Sequence, residues 1–164
     1  MRALDRGSVS VQPPMHRTVV IGIGNLDRGD DAFGRIVAAR LRGRIPEHVS
    51  LFEEDGQATA LLDRLGDADA AILIDAAISG GEPGQICRFD AACEPLSAAK
   101  FGMSTHGFGL AEAIELARIL GKLPGRCIVY AVEVRSFELG APLSPELARA
   151  VDEVLAWVIA EANE

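Results

Sequence analysis

Residues 70–76, AAILIDA, are apolar on both faces, and this limits the architectures open to the chain. A strand with one wet face alternates polar and apolar side chains. A continuous apolar run of strand length belongs inside a parallel sheet that is covered on both sides. Helices must provide that cover, and the rest of the sequence alternates helix-period segments with further apolar runs.

TVVIGI (18–23) reads as a buried strand and VSLFEE (49–54) as a second. DAFGRIVAARLRG (31–43) places Phe33, Ile36, Val37 and Leu41 on one helical face, and ATALLDRLG (58–66) is a short helix. GEPGQICRFD (81–90) suggests a turn and a weaker strand at a sheet edge. HGFGLAEAIELARILG (106–121) is a helix with Leu110, Ile114, Ala117 and Leu120 in register, and RCIVYAVEV (126–134) is a further strand. SPELARAVDEVLAWVIAEA (144–162) closes the chain as an amphipathic helix, with Ser144 as N-cap, Pro145 in the first turn and Leu147, Val151, Val154 and Val158 on its apolar face. The order predicts an α/β fold: one mostly parallel twisted sheet with helices on both sides. Residues 18–164 form a single domain in this reading, and residues 1–17 a loose leader.

Of the 164 residues, 49% are hydrophobic and 24% charged, which suits a folded core. The formal net charge is −8 without a basic cluster, which argues against a nucleic-acid partner. Three cysteines, Cys87, Cys93 and Cys127, lack C-x-x-C spacing and point to reduced thiols in a cytoplasmic protein. No segment reads as a signal peptide or a membrane span.

Ligands of such sheets bind beyond the carboxyl ends of the strands. Asn25, Asp27, Asp30 and Asp31 follow the first strand, Asp75 ends the third, and Ser104, Thr105 and His106 precede the 106–121 helix. Each has a plain explanation when taken alone. Asp30 or Asp31 suits a helix start, Asp75 ties down a loop, and His106 sits in a first turn. Asp75 is the hardest to dismiss, because a carboxylate ending an apolar strand needs something to pair with. Together, two carboxylates and an imidazole suit a divalent transition metal such as zinc or nickel. The same groups also suit direct activation of water, since two close carboxylates share a proton. Both roles stay open.

The remaining polar residues are less informative. His16 and His48 have no partner in the pattern and read as solvated surface residues. Ser79 and Ser104 lack a G-x-S-x-G elbow, and Ser104 reads as a helix cap. Residues 53–55, EED, read as a solvated strand end, and the cysteines as small core or near-surface hydrophobes. Gly22 and Gly24 resemble the opening of a dinucleotide loop, but the third glycine is missing and the helix start is acidic.

GIGNLDRGDDAFG (22–34), ILIDA (72–76), STHGFGLAEAIELARILG (104–121) and LSPELARAV (143–151), in that order, resemble the hydrogenase maturation endopeptidase family. The resemblance covers the chain from about residue 18 onward. It implies a three-layer α/β/α sandwich that removes the C-terminal extension of a [NiFe] hydrogenase large-subunit precursor once nickel is inserted. It places the metal-binding and catalytic positions at Asp31, Asp75 and His106, with Asp31 standing where many relatives have Glu. The nickel is carried by the substrate and bound transiently, and no organic cofactor is implied. Such enzymes have been grouped with both aspartic-type and metallopeptidases. Asn25 and the backbone at Gly22 and Gly24 are then expected to bind the substrate chain or a developing oxyanion. Two alternatives remain: a nickel-sensing chaperone or scaffold of hydrogenase assembly that does not cut, and a degenerate nucleotide-binding domain.

Overall fold

The computed structural model describes residues 16–97, 109–135 and 137–164. Within them a five-stranded sheet is built from β1 (Thr18–Ile23), β2 (Val49–Glu54), β3 (Ala70–Ala77), β4 (Ile86–Asp90) and β5 (Arg126–Glu133). The strand order is β2-β1-β3-β5-β4; all pairs are parallel except β4 with β5. The helices are α1 (Phe33–Leu41), α2 (Ala58–Gly66), α3 (Leu110–Ile119) and α4 (Pro145–Ala162).

The two-faced apolar strand lies at the centre, as its composition requires. Ala71 to Ile74 are buried, and alternate residues feed opposite layers. Leu73 joins Ile21, Val129, Leu61, Leu65 and Ile114 on the α2/α3 side. Ile72 and Ile74 join Val20, Phe33, Val37, Tyr130 and Val154 on the α1/α4 side. The result is a three-layer α/β/α sandwich. Leu147, Val151, Val154 and Val158 of α4 are all fully buried, and the Ser144 hydroxyl accepts from Leu147 N–H.

Two helix starts differ from the sequence reading. The helix expected from residue 31 begins at Phe33, because Gly29–Ala32 form a 3-10 turn in front of it. The helix expected from residue 106 begins at Leu110, with Gly109 as its N-cap and no side-chain cap. Residues 98–108, Ser104 among them, lie outside the described residues.

Glycine sets the distance between α1 and the sheet. A Cβ added to Gly34 would overlap the carbonyl oxygens of Ile74 and Ile23, and one added to Gly22 would overlap that of Gly34. Backbone therefore packs on backbone where β1, β3 and α1 meet. Away from this point, Glu161 of α4 accepts from Tyr130 Oη (3.0 Å) and Arg88 (2.7 Å) and pairs with Arg126, tying the last helix to β4 and β5. Arg17 bonds to Asp69 through both its N–H and its carbonyl, anchoring the entrance of β1 beside that of β3.

None of the described helices is long and apolar enough to cross a membrane. Cys127 is buried, Cys87 half-buried and Cys93 exposed, all as free thiols; burial pushes the Cys127 thiol up to about 12.

Candidate active site

In the strand order β2-β1-β3-β5-β4, the connection from β1 leads to one side of the sheet, while β3 and the later strands lie on the other. The crevice at such a switch opens beyond the carboxyl ends of the two central strands, here β1 and β3. Asp31 and Asp75 occupy those two ends.

Asp31 is fully buried in the 3-10 turn after β1. Successive residues of a 3-10 turn point about 120° apart, so the two adjacent acids separate. Asp30 Oδ1 accepts from Ser144 N–H at 2.7 Å and holds the start of α4. Asp30 thus serves the end of the chain rather than the helix that directly succeeds it.

Asp75 is 1% exposed, on the sheet face covered by α2 and α3. Its Oδ1 accepts from Ala76 N–H at 2.8 Å, and its Oδ2 has no hydrogen-bond partner among the described residues. Burial pushes the Asp75 carboxyl well above the usual range, the Ala76 N–H opposes this, and the nearby Asp31 charge adds to the rise. The two carboxylates expected to converge are therefore electrostatic neighbours. His106 lies outside the described residues, as do Ser104 and Thr105. Among the described residues no group of three His, Cys, Asp or Glu side chains is arranged to hold a metal.

The raised Asp75 carboxyl makes stability depend on pH in a known direction. Unfolded, Asp75 ionises near its ordinary value of about 3.9. Between that pH and its raised folded value, the folded chain keeps a proton that the unfolded chain has released. Its contribution is thus fully present below the unfolded value and is lost as pH rises through this window. Asp75→Asn removes the dependence. The stability of Asp75→Asn relative to wild type, read from urea midpoints at pH 4, 5.5 and 7, should rise with pH. A difference that does not change with pH would contradict a buried, raised Asp75.

The other sequence candidates serve local structure. Asn25 Oδ1 accepts from Asp27 N–H at 2.9 Å and closes the turn after β1. Gly24 has a φ of +146°, its N–H donates to Glu54 O at 3.0 Å, and an added Cβ would overlap the Asp31 carbonyl oxygen. It allows the acidic turn to lie against the end of β1, while Gly22 makes room for α1. The strand end at 53–55 is not merely solvated: Glu53 pairs with Arg35 and Arg42, and Glu54 with Arg64. His16 and His48 line a cavity of about 740 Å³ at the opposite, amino-terminal edge of the sheet, with Thr18, Ala70 and Arg126 at the strand starts.

The sequence reading passed over Glu133, which ends β5 as Asp75 nearly ends β3. It is 6% exposed, and its carboxylate accepts from Ser79 N–H (2.9 and 3.0 Å), Gly80 N–H (3.0 Å) and the Ser79 hydroxyl. Three donors stabilise a buried carboxylate that has no cation in this set, and the carboxylate in turn holds the turn after β3. The signal was present in the apolar run before it, residues 127–132.

The fold and the acid pair define a doubly wound α/β protein with an acidic switch point. Comparison with known proteins identifies the group. The family model described as hydrogenase maturation protease matches residues 37–161, a span that begins beyond Asp31 and contains Asp75 and position 106. The hydrogenase expression/formation protein HupD of Bradyrhizobium diazoefficiens is 32% identical over 135 residues, covering 79% of this chain and 69% of the relative. The hydrogenase maturating endopeptidase HybD of Escherichia coli superposes with a TM-score of 0.74 at 26% identity, covering 90% of this chain and 92% of that one. The solution structure of an endopeptidase from Escherichia coli gives 0.76 at 27% identity, covering 88% and 90%. The chain belongs to the hydrogenase maturation protease family.

Proposed function

We propose that this chain is the endopeptidase that removes the C-terminal extension of a [NiFe] hydrogenase large-subunit precursor after nickel insertion. In this reading Asp31, Asp75 and His106 recognise the nickel carried by the substrate. The observation that carries it is the acid pair at the switch point, above all the buried Asp75 oxygen without a hydrogen-bond partner among the described residues. A buried carboxylate is costly unless paired, and an arriving divalent cation supplies the missing partner. Carboxylate and imidazole donors suit nickel and leave it exchangeable, as a checkpoint on the substrate's own metal requires.

Peptide hydrolysis adds water to the scissile carbonyl and returns a proton to the leaving amine. A carboxylate freed by the exchange of its proton for the cation is placed to take the water's proton and pass it on. The amide of Asn25 has its Oδ1 already engaged, so its NH2 is the group left to hold the substrate chain. The setting is cytoplasmic, where the precursor is assembled and the thiols stay reduced.

The test tracks the mass of the precursor. With the protein added, the nickel-loaded precursor loses its C-terminal segment and the nickel-free precursor does not. Stable binding with no mass change in either sample would sink the peptidase in favour of a nickel-sensing scaffold. Tight nucleotide binding with no effect on the precursor would restore the nucleotide-binding alternative.

A further inference from the structure

Two loops at the carboxyl edge of the sheet are clasped together. Gly140 N–H donates to Asp27 O at 2.8 Å, and Ser144 N–H donates to Asp30 at 2.7 Å. Gly29, at φ +55°, lies so close that an added Cβ would stand 3.2 Å from Glu138 O and 3.3 Å from Ala141 Cβ. Asp31 comes directly after this clasp. Each loop nevertheless exposes a leucine: Leu26 at 53% and Leu139 at 77%.

The other exposed large hydrophobics have different surroundings. Ile119 and Leu120 end α3, which runs back toward the amino-terminal edge of the sheet, and Trp157 lies against Tyr130 on the α4 side. Leu26 and Leu139 are therefore the exposed large hydrophobics of the carboxyl edge among the described residues. The Gly140–Asp27 bond brings the backbones beside the two leucines together, and Asp27, Arg28 and Glu138 adjoin them in sequence, a mix of apolar and charged residues that suits a protein contact. A cavity of about 300 Å³ runs beside the same clasp, lined by Asp30, Arg135, Glu138, Ser144 and Glu146 among others.

We propose that Leu26 and Leu139 form the landing site for apolar side chains of the precursor segment that flanks the scissile bond. This rests on the peptidase reading above. A substrate that brings its C-terminal peptide to Asp31 and Asp75 must cross this edge, and the clasp holds the landing site in fixed relation to Asp31. The two leucines then set affinity for the precursor, whereas the acids act on its metal and its peptide bond.

The measurement is steady-state processing of the nickel-loaded precursor by wild type, Leu26→Asp, Leu139→Asp and Leu139→Met, with thermal melts to show that each variant folds. Each Asp variant should raise KM about tenfold, and Leu139→Met should keep the wild-type KM because it preserves an apolar side chain of similar volume. Unchanged KM in both Asp variants, with wild type active, overturns the landing site and leaves the peptidase standing. A wild-type chain that does not process the precursor overturns both. If sedimentation shows a wild-type dimer that Leu139→Asp dissolves without a change in KM, the occupant is a second copy and the proposal is wrong.

Discussion

Asp75→Asn should abolish processing of the nickel-loaded precursor, by a factor of at least about 10², the lower end of what a positioned acid or base contributes. The substitution keeps the shape of the side chain and its Oδ1, so the bond from Ala76 N–H can persist. It removes the negative charge, and with it both the pairing for an incoming cation and the site for a transferred proton. Loss of folding does not explain a loss of activity here, because burial already disfavours the charged form that Asn eliminates. Asp31→Asn and His106→Ala should fall in the same range if three donors share one nickel. Readout is the rate of tail removal by mass spectrometry, alongside a melt. An Asp75→Asn protein within about threefold of the wild-type rate would remove Asp75 from the chemistry, since general acid–base catalysis contributes far more than that.

Gly34→Ala should produce the largest loss of stability, about 3–5 kcal/mol, the upper range for a single substitution. The added methyl would overlap two carbonyl oxygens, those of Ile23 and Ile74, which belong to hydrogen-bonded central strands and have little freedom to move. Relief requires α1 to lift from the sheet, which would open the core around Phe33, Val37 and Leu41. A domain with a total stability of about 5–15 kcal/mol would be left marginal. Gly125→Ala is the control: an added Cβ there meets nothing within 4 Å, so its midpoint should move by less than about 0.5 kcal/mol. Urea unfolding of both variants measures this. A Gly34→Ala chain as stable as the control would mean that α1 does not contact the sheet through backbone. Activity should fall with stability in Gly34→Ala, because α1 and the acidic turn before it move together.

Particular residues show how much of this was legible in the sequence. Asp75 was, because the apolar run 70–74 places an acid where only a paired or protonated carboxylate is tolerated. The same logic applied to 127–132 leads to Glu133, yet Glu133 binds backbone and a hydroxyl of the turn after β3 rather than joining a metal set. One sequence signal thus served two structural ends. The glycines at 22 and 24 suggested close approach of a ligand, whereas the structure uses them for close approach of α1 and the acidic turn. A glycine in sequence marks a place without room for Cβ and does not say what fills that room.

Asp30 and Asp31 are the sharpest case. They are neighbours of identical chemistry, and nothing local ranks one above the other. Periodicity alone determined the α/β alternation, the central position of β3, the apolar faces of α1 and α4 and the capping by Ser144, because these depend on side-chain spacing within a few residues. The strand order, the meeting of β1 and β3 at the switch point and the division of labour between the two acids were decided by tertiary structure. Asp30 is claimed by Ser144, 114 residues away in the chain, and Asp31 is turned toward the buried end of β3, where its charge acts on Asp75. Spacing encodes what a segment buries; only the folded chain decides which of two equal carboxylates anchors a distant helix and which one meets the second acid.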